Sequence, residues 1–186
     1  KSVKELIALA KAKPGELNYS SSPVGSPNHL AAELFNSMAG VNIVRVVYKG
    51  TAPAIASLIG GEVQMTITDA GLLLPHAKSG KLRALAVTSA QPYALAPGLP
   101  TVAASVPGYE SVSVTCLFAP NKTPAAIINR LNQEVVRYIA RPEVRERLFN
   151  AGVEAVGNST EEFAALIKTD TARWSKVIKE AGIKLE

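Results

Sequence analysis

The stretch SSSPVGSPNHLAAELF, residues 20–35, decides the fold. Three hydroxyl residues close a short run that begins ELNY, Pro23 and Gly25 turn the chain, and Ser26-Pro27 open an amphipathic segment. Pro27 suits the first helical position behind an N-cap serine. Leu30, Leu34, Phe35 and Met38 then carry an apolar stripe that Gly40 ends. A strand that passes directly into a capped helix is the building unit of a parallel α/β sheet.

The same alternation extends on both sides. Upstream, KSVKELIALAKAKPG predicts a helix with Ser2 as cap, Glu5 reaching back, and Pro14-Gly15 as stop. Downstream, NIVRVVY is a strand rich in β-branched residues, and Thr51 caps a helix over PAIASLIGG. EVQMTIT then follows as a strand, AGLLLPHAKSG as a short helix interrupted near Pro75, and KLRALAVTS as another strand. Residues 89–110, broken by Pro92, Pro97, Pro100 and Pro107, read as a connector folded over the surface or as the approach to a hinge. SVSVTCLFAP is an apolar strand in which Cys116 is expected to be buried and inert. Beyond it the pattern turns helical: one helix from Thr123-Pro124 to about Ala140, one from Pro142 to Gly152, and a long one capped by Ser159 and Glu162. Only VEAV, residues 153–156, looks like a strand in this half.

Composition removes several classes of function. The 186 residues are 47% hydrophobic, enough for a sizeable core, so disorder is not expected. The net charge of +5 is dispersed along the chain, and aromatics make up only 5%, which argues against nucleic acid as a partner. With Cys116 the single cysteine and His29 and His76 the only histidines, neither an internal disulfide nor a Cys/His zinc cage can be built, and no metal or cofactor is expected. No apolar run reaches the ~20 residues of a membrane span, so membrane insertion is not expected. No charged-then-apolar leader opens the sequence as given, so the expectation is that any export signal has been removed or never existed.

The turn itself is shaped to receive an anion. A strand ending in hydroxyls, then a glycine and a capped helix, directs unpaired N–H groups to one point and backs them with the helix dipole. Ser21, Ser22 and Ser26 offer hydroxyls, and Gly25 lets the backbone approach a ligand. The same pattern fits an ordinary strand-to-helix turn with a good cap. Two further loops, Tyr48-Lys49-Gly50-Thr51 and Thr68-Asp69-Ala70-Gly71, also lie between strand and helix, and in parallel sheets such loops share one edge. Lys49 offers a positive charge and equally fits a solvated surface lysine. Asp69 fits either a helix cap or an acceptor for ligand N–H or O–H groups. His29, in the first turn of its helix, reads as a packing or loop-holding residue before a catalytic one.

Taken in order, GSPNHL, YKGTAP, GGEVQ, GKLRALAVT, LPTV and PGYE resemble the tripartite tricarboxylate transporter receptor family, the Bug-type extracytoplasmic solute-binding proteins. The resemblance runs the length of the chain. It implies a periplasmic-binding-protein type II-like α/β fold whose two lobes close over a small mono-, di- or tricarboxylate and present it to the membrane permease of a tripartite transporter, in the periplasm. By position, the loop Ser21, Ser22, Val24, Gly25 and Ser26, with His29 behind it, matches the carboxylate clamp of the second lobe. Thr68 with Asp69 matches the adjacent wall, and Lys49 stands nearby. Pro23 replaces a glycine common in the family, Val114 an aromatic, and Cys116 another glycine, so the wall near the crossover strand is expected to be wider.

The family carries a further segment ahead of the point matching Lys1, roughly a hundred residues, a small lobe's worth. The resemblance therefore implies that residues 1–110 form a nearly complete second lobe, 111–118 a crossover strand, and 119–186 the C-terminal helices of the first lobe, whose remainder is absent. On this reading the chain is a fragment with weakened binding. The stripe Ile127, Ile128, Leu131, Val135 and Ile139 then packs against the remaining lobe, or against a second copy as a homodimer or by exchange of elements. The alternative from another class is a hydrolase using a serine with His29 and Asp69. No G-x-S-x-G elbow and no carboxylate pair spaced for glycoside chemistry supports it, and no enzyme activity is expected.

Overall fold

A computed structural model describes residues 1–183. The described chain divides into two compact units, residues 1–112 with 175–183, and residues 113–174.

The first unit is α/β, with a three-stranded parallel sheet flanked by helices. Helix α1 (Val3–Ala12) is capped as its sequence requires: the Glu5 N–H donates to Ser2 Oγ at 3.2 Å. Strand β1 (Asn18–Ser21) leads into α2 (Pro27–Ala39), β2 (Val44–Val47) into α3 (Thr51–Ile59), and β3 (Met65–Thr66) into α4 (Ala70–Lys78). The order is β2-β1-β3, with Tyr19 opposite Arg45 on one side and Met65 on the other. Helix α2 stops at Gly40, whose φ of 60° lets its N–H turn back to Asn36 O and Ser37 O. The Asn36 side chain then brackets Ile43, donating to its carbonyl at 3.0 Å and accepting from its N–H at 3.3 Å, which aims the chain into β2.

The core lies between the β1 face carrying Tyr19 and helices α1 and α2, and it includes Val3, Leu17, Phe35 and Ile43. Each such side chain contributes roughly 2 kcal/mol by leaving water. Tyr109 closes the cluster. Its ring meets Phe35 edge to face at 6.1 Å, and its buried hydroxyl donates to Ala31 O at 2.9 Å.

Several expectations are corrected. EVQMTIT pairs only at Met65–Thr66, and KLRALAVTS forms no strand, making one bridge between Val87 and Thr101. Helix α4 continues through Pro75, forgoing one hydrogen bond where a break was expected. The cap of α3 is Gly50, at φ 144°, and Thr51 is already helical. The proline-rich segment is more than a surface connector: a 3-10 turn over Val102–Ala104 sets Val102, Val106 and Tyr109 into the core.

In the second unit, α5 (Ala125–Ile139), α6 (Pro142–Asn150) and the start of α7 (Thr160–Glu180) follow the expected caps. The Ser159 N–H donates to Glu162 Oε2 at 2.8 Å and the Glu162 N–H returns to Ser159 Oγ at 3.1 Å, a reciprocal capping box. SVSVTCLFAP and VEAV form no strand, and Cys116 is exposed, because neither segment finds a neighbouring backbone to pair with. None of residues 113–174 is buried, and the α5 stripe stands open at Ile127 (51% exposed) and Leu131 (53%).

Candidate functional site

Because the three strands are parallel, their carboxyl ends reach one edge of the sheet. The loops 22–26, 48–50 and 67–69 stand there and open α2, α3 and α4, so three helix N-termini meet at that edge.

The β1–α2 loop is held by its own side chains, with Asn28 as the hub. Its Oδ1 accepts from Ser26 Oγ at 2.7 Å, from its neighbour's N–H on His29 at 3.0 Å, and from the Ser22 N–H at 3.4 Å. Its Nδ2 donates to Ser22 Oγ at 3.2 Å. The Gly25 N–H donates to His29 Nδ1 at 3.1 Å and the Ser26 N–H to Pro23 O at 3.1 Å. Gly25 takes φ 79°, a left-handed conformation that a side chain would strain. Pro23 and Pro27 have no N–H. Among the described residues, this leaves the N–H groups of Val24 and Asn28 without a hydrogen bond, at the positive end of a 13-residue helix.

The residues picked out in the sequence therefore divide by role. Ser21 is buried, and its hydroxyl donates to Ser22 O at 3.0 Å. His29 is buried, and its Nδ1 serves Gly25. Burial, and after it the positive charge of Arg45, push its pKa down to about 4, so the ring is neutral at pH 7 with its proton on Nε2. Both residues support the loop from behind. Ser22, Val24, Gly25 and Ser26 remain partly open at its surface, as does Thr68, while Lys49 and Asp69 are exposed. Asp69 occupies the N-cap position of α4 without a side-chain cap, its carbonyl accepting from the N–H groups of Leu72 and Leu73. An apolar groove of about 450 Å³ runs between α3 and α4, lined by Thr51, Ala52, Ile55, Leu72 and His76, and does not include the β1–α2 loop.

Two residues of the site escaped the sequence reading. Asn28 sits second in its helix, where a short acceptor side chain can fold back on the turn, and that position was its only signal. Arg45 is the one charge in VRVV. Its Nε donates to Ser21 Oγ at 2.7 Å and its Nη2 to Ser22 O at 2.8 Å. The hydrolase alternative fails on this geometry: His29 Nδ1 faces an amide in place of a serine hydroxyl, and Ser21 Oγ is tied to Arg45. Among the described residues, no three of His, Cys, Asp or Glu gather closely enough to hold a metal ion, and no helix is long and apolar enough to cross a membrane.

A parallel sheet that opens three helices at one edge brings their N-termini to the place where parallel α/β folds collect ligands. The family model described as the tripartite tricarboxylate transporter family receptor matches residues 1–183, and the chain belongs to that family. It is 36% identical over 180 residues to the UPF0065 protein in the tcbD-tcbE intergenic region of Pseudomonas sp. (strain P51), covering 96% of this chain and 54% of that one. It is 33% identical over 186 residues to Protein BugT of Bordetella pertussis, covering 100% and 57%. The chain thus spans about half the length of the curated relatives it matches. Among solved structures, R. palustris Rpa4515 with adipate superimposes with a TM-score of 0.89 at 40% identity, over 98% of this chain and 61% of that one. MatC (Rpa3494) from Rhodopseudomonas palustris with bound malate gives a TM-score of 0.81 at 28% identity, over 96% and 62%. The periplasmic binding protein BugD gives 0.82 at 28% identity, over 100% and 63%. The family is one of transporter receptors and BugD is a periplasmic binding protein, neither of them an enzyme.

Proposed function

We propose that this chain carries one carboxylate-holding face of a periplasmic solute-binding receptor, which takes up a small mono-, di- or tricarboxylate and delivers it to the permease of a tripartite transporter. One carboxylate rests on the β1–α2 loop, flanked by residues 48–51 and by Thr68 and Asp69. Residues 1–110 act as the second lobe, and the helices after residue 118 belong to the first. The observation that carries this reading is the pair of unbonded N–H groups on Val24 and Asn28 at the start of α2, in a chain whose structural neighbours include Rpa4515 with adipate and MatC with bound malate. Hydrogen bonds to a charged partner contribute about 1.5 to 3 kcal/mol each, so two donors and the helix dipole give a modest grip. Contacts from a facing lobe then shift the equilibrium toward a closed state. The open α5 stripe at Ile127 and Leu131 supports packing against that lobe or a second copy, which the solution mass distinguishes.

The test is a ¹⁵N–¹H correlation spectrum titrated with adipate, malate and the neutral adipamide. Saturable shifts at the Val24 and Asn28 amides with the two acids, and none with the diamide, are expected. Silence at those two amides, or an equal response to adipamide, overturns the reading.

A further inference from the structure

We infer that Arg45 is the residue that sets the anion preference of the β1–α2 loop, acting as a positioning charge through Ser21 and Ser22. This rests on the proposed carboxylate site and names the source of its selectivity.

Arg45 lies opposite Tyr19 in the β1–β2 register, and Ser21 is two residues further along β1. The parallel pleat therefore puts Tyr19, Ser21 and Arg45 on one face, the face that α2 covers. From there the guanidinium reaches the root of the loop, bonding Ser21 Oγ at 2.7 Å and Ser22 O at 2.8 Å. Those two bonds have separate consequences. The first fixes the end of β1. The second draws the Ser22 carbonyl dipole onto the cation, and a carbonyl oxygen so held is not free to turn toward an incoming carboxylate and repel it.

The guanidinium also has no direct ion-pair partner. Arg45 is half-buried, and none of the ion pairs among the described residues includes it. The groups that face it are Tyr19, whose hydroxyl donates to Glu33 Oε1 at 2.5 Å, and the neutral His29. Glu33 is thereby engaged with the phenol. Burial and Glu33 hold the Tyr19 phenol well above its ordinary range against a smaller opposing pull from Arg45, and Arg45 adds to the burial that lowers His29, so its field reaches the ring whose Nδ1 holds Gly25. A half-desolvated cation with no direct ion-pair partner is costly, and a bound carboxylate adds to the charge that offsets it. Surface Lys49, which the sequence offers for this task, is exposed and its charge screened by solvent.

Binding of adipate, its monoamide and adipamide to the full chain, compared with Arg45→Lys and Arg45→Gln, tests the inference. The unmutated chain is expected to rank the three ligands by charge and to weaken for adipate as salt is added. Arg45→Lys keeps most of that ranking, whereas Arg45→Gln loses on the order of tenfold for adipate and flattens the salt dependence. Arg45→Gln also raises the pKa of His29, read from its ring resonances without any ligand. If Lys and Gln weaken binding equally, Arg45 is a structural clamp only and the inference is overturned, while the carboxylate site stands. If the unmutated chain ignores adipate altogether, both fall. Should Arg45→Gln not fold, a flat ranking of the three ligands on the unmutated chain is sufficient to refute it.

Discussion

Removing the Asn28 side chain separates the loop's architecture from its binding. Asn28→Ala deletes hydrogen bonds of 2.7, 3.0 and 3.2 Å and a longer one of 3.4 Å. The Ser26 hydroxyl and Ser22 N–H lie near solvent and each lose about 0.5 to 1 kcal/mol, whereas the buried His29 N–H loses its acceptor outright, about 1 to 2 kcal/mol. The sum is about 3 kcal/mol, which for a chain of this length lowers Tm by about 6 to 12 °C. Asn28→Asp is the informative partner. It keeps the acceptor for Ser22, Ser26 and His29, and the Ser22 hydroxyl turns to donate. The added negative charge sits favourably at the start of α2. Its stability is therefore expected within about 1 kcal/mol of the unmutated chain, yet the same charge beside the Val24 and Asn28 amides repels a carboxylate and weakens adipate binding at least tenfold on the order of the like-charge cost. Differential scanning calorimetry and calorimetric titration read the two effects. An Asn28→Ala chain that unfolds normally, or an Asn28→Asp chain that binds adipate normally, refutes the account of Asn28 as hub.

Three further outcomes are expected. His29 has a folded pKa of about 4 against 6.5 in the free side chain, so the unfolded chain takes up the proton first as pH falls. The stability from neutral His29 is complete above about pH 6.5 and disappears on the way down to about 4. After allowance for solvent near the loop it amounts to about 1 to 2 kcal/mol. In His29→Gln the drop in Tm across that window is shallower, and parallel curves for the two chains would contradict the assignment. Tyr109→Phe keeps the ring against Phe35 but loses the bond to Ala31 O, costing about 1 kcal/mol in denaturant unfolding with an unchanged m-value. Ser159→Ala opens the capping box of α7 at about 1 kcal/mol, read as faster amide exchange at Glu162 than at the middle of that helix.

What was legible in the sequence was what is decided locally. Ser2 with Glu5, Ser159 with Glu162, Pro27 at the head of α2 and Gly40 at its foot each act within one helical turn, and the structure holds all of these helix limits. Strands are decided by partners far away in sequence. KLRALAVTS has the right residues, but Val87 bonds Pro100 and Val102 and nothing continues the ladder. The prolines of 89–110 hid a four-residue spacing, Val102 to Val106, that seats both valines in the core. At the site, the three loops could be located from strand-to-helix alternation. Which amides stay unbonded could not, because that depends on where the Asn28 and His29 side chains turn. Arg45 was missed because a single charge in a β-branched run reads as a solvent-facing residue. The register with Tyr19 is what turns it inward.

The internal bonding of the loop bears on how so few donors can be selective. A loop with six free amides is left to sample many conformations, and ordering it on ligand costs about 1 kcal/mol or more per residue. Here Pro23 and Pro27 fix two φ angles, Asn28 and His29 hold three of the amides and the Pro23 carbonyl a fourth, so that cost is met in folding and does not recur on binding. On the proposed reading, the two amides left over recognise only a carboxylate group and its charge. They make no demand on the rest of the molecule, which falls to the walls at residues 48–51 and 68–69. A site arranged in this way discriminates sharply between acid and amide and weakly between chain lengths. It thus suits a fold whose neighbours hold acids as different in length as malate and adipate.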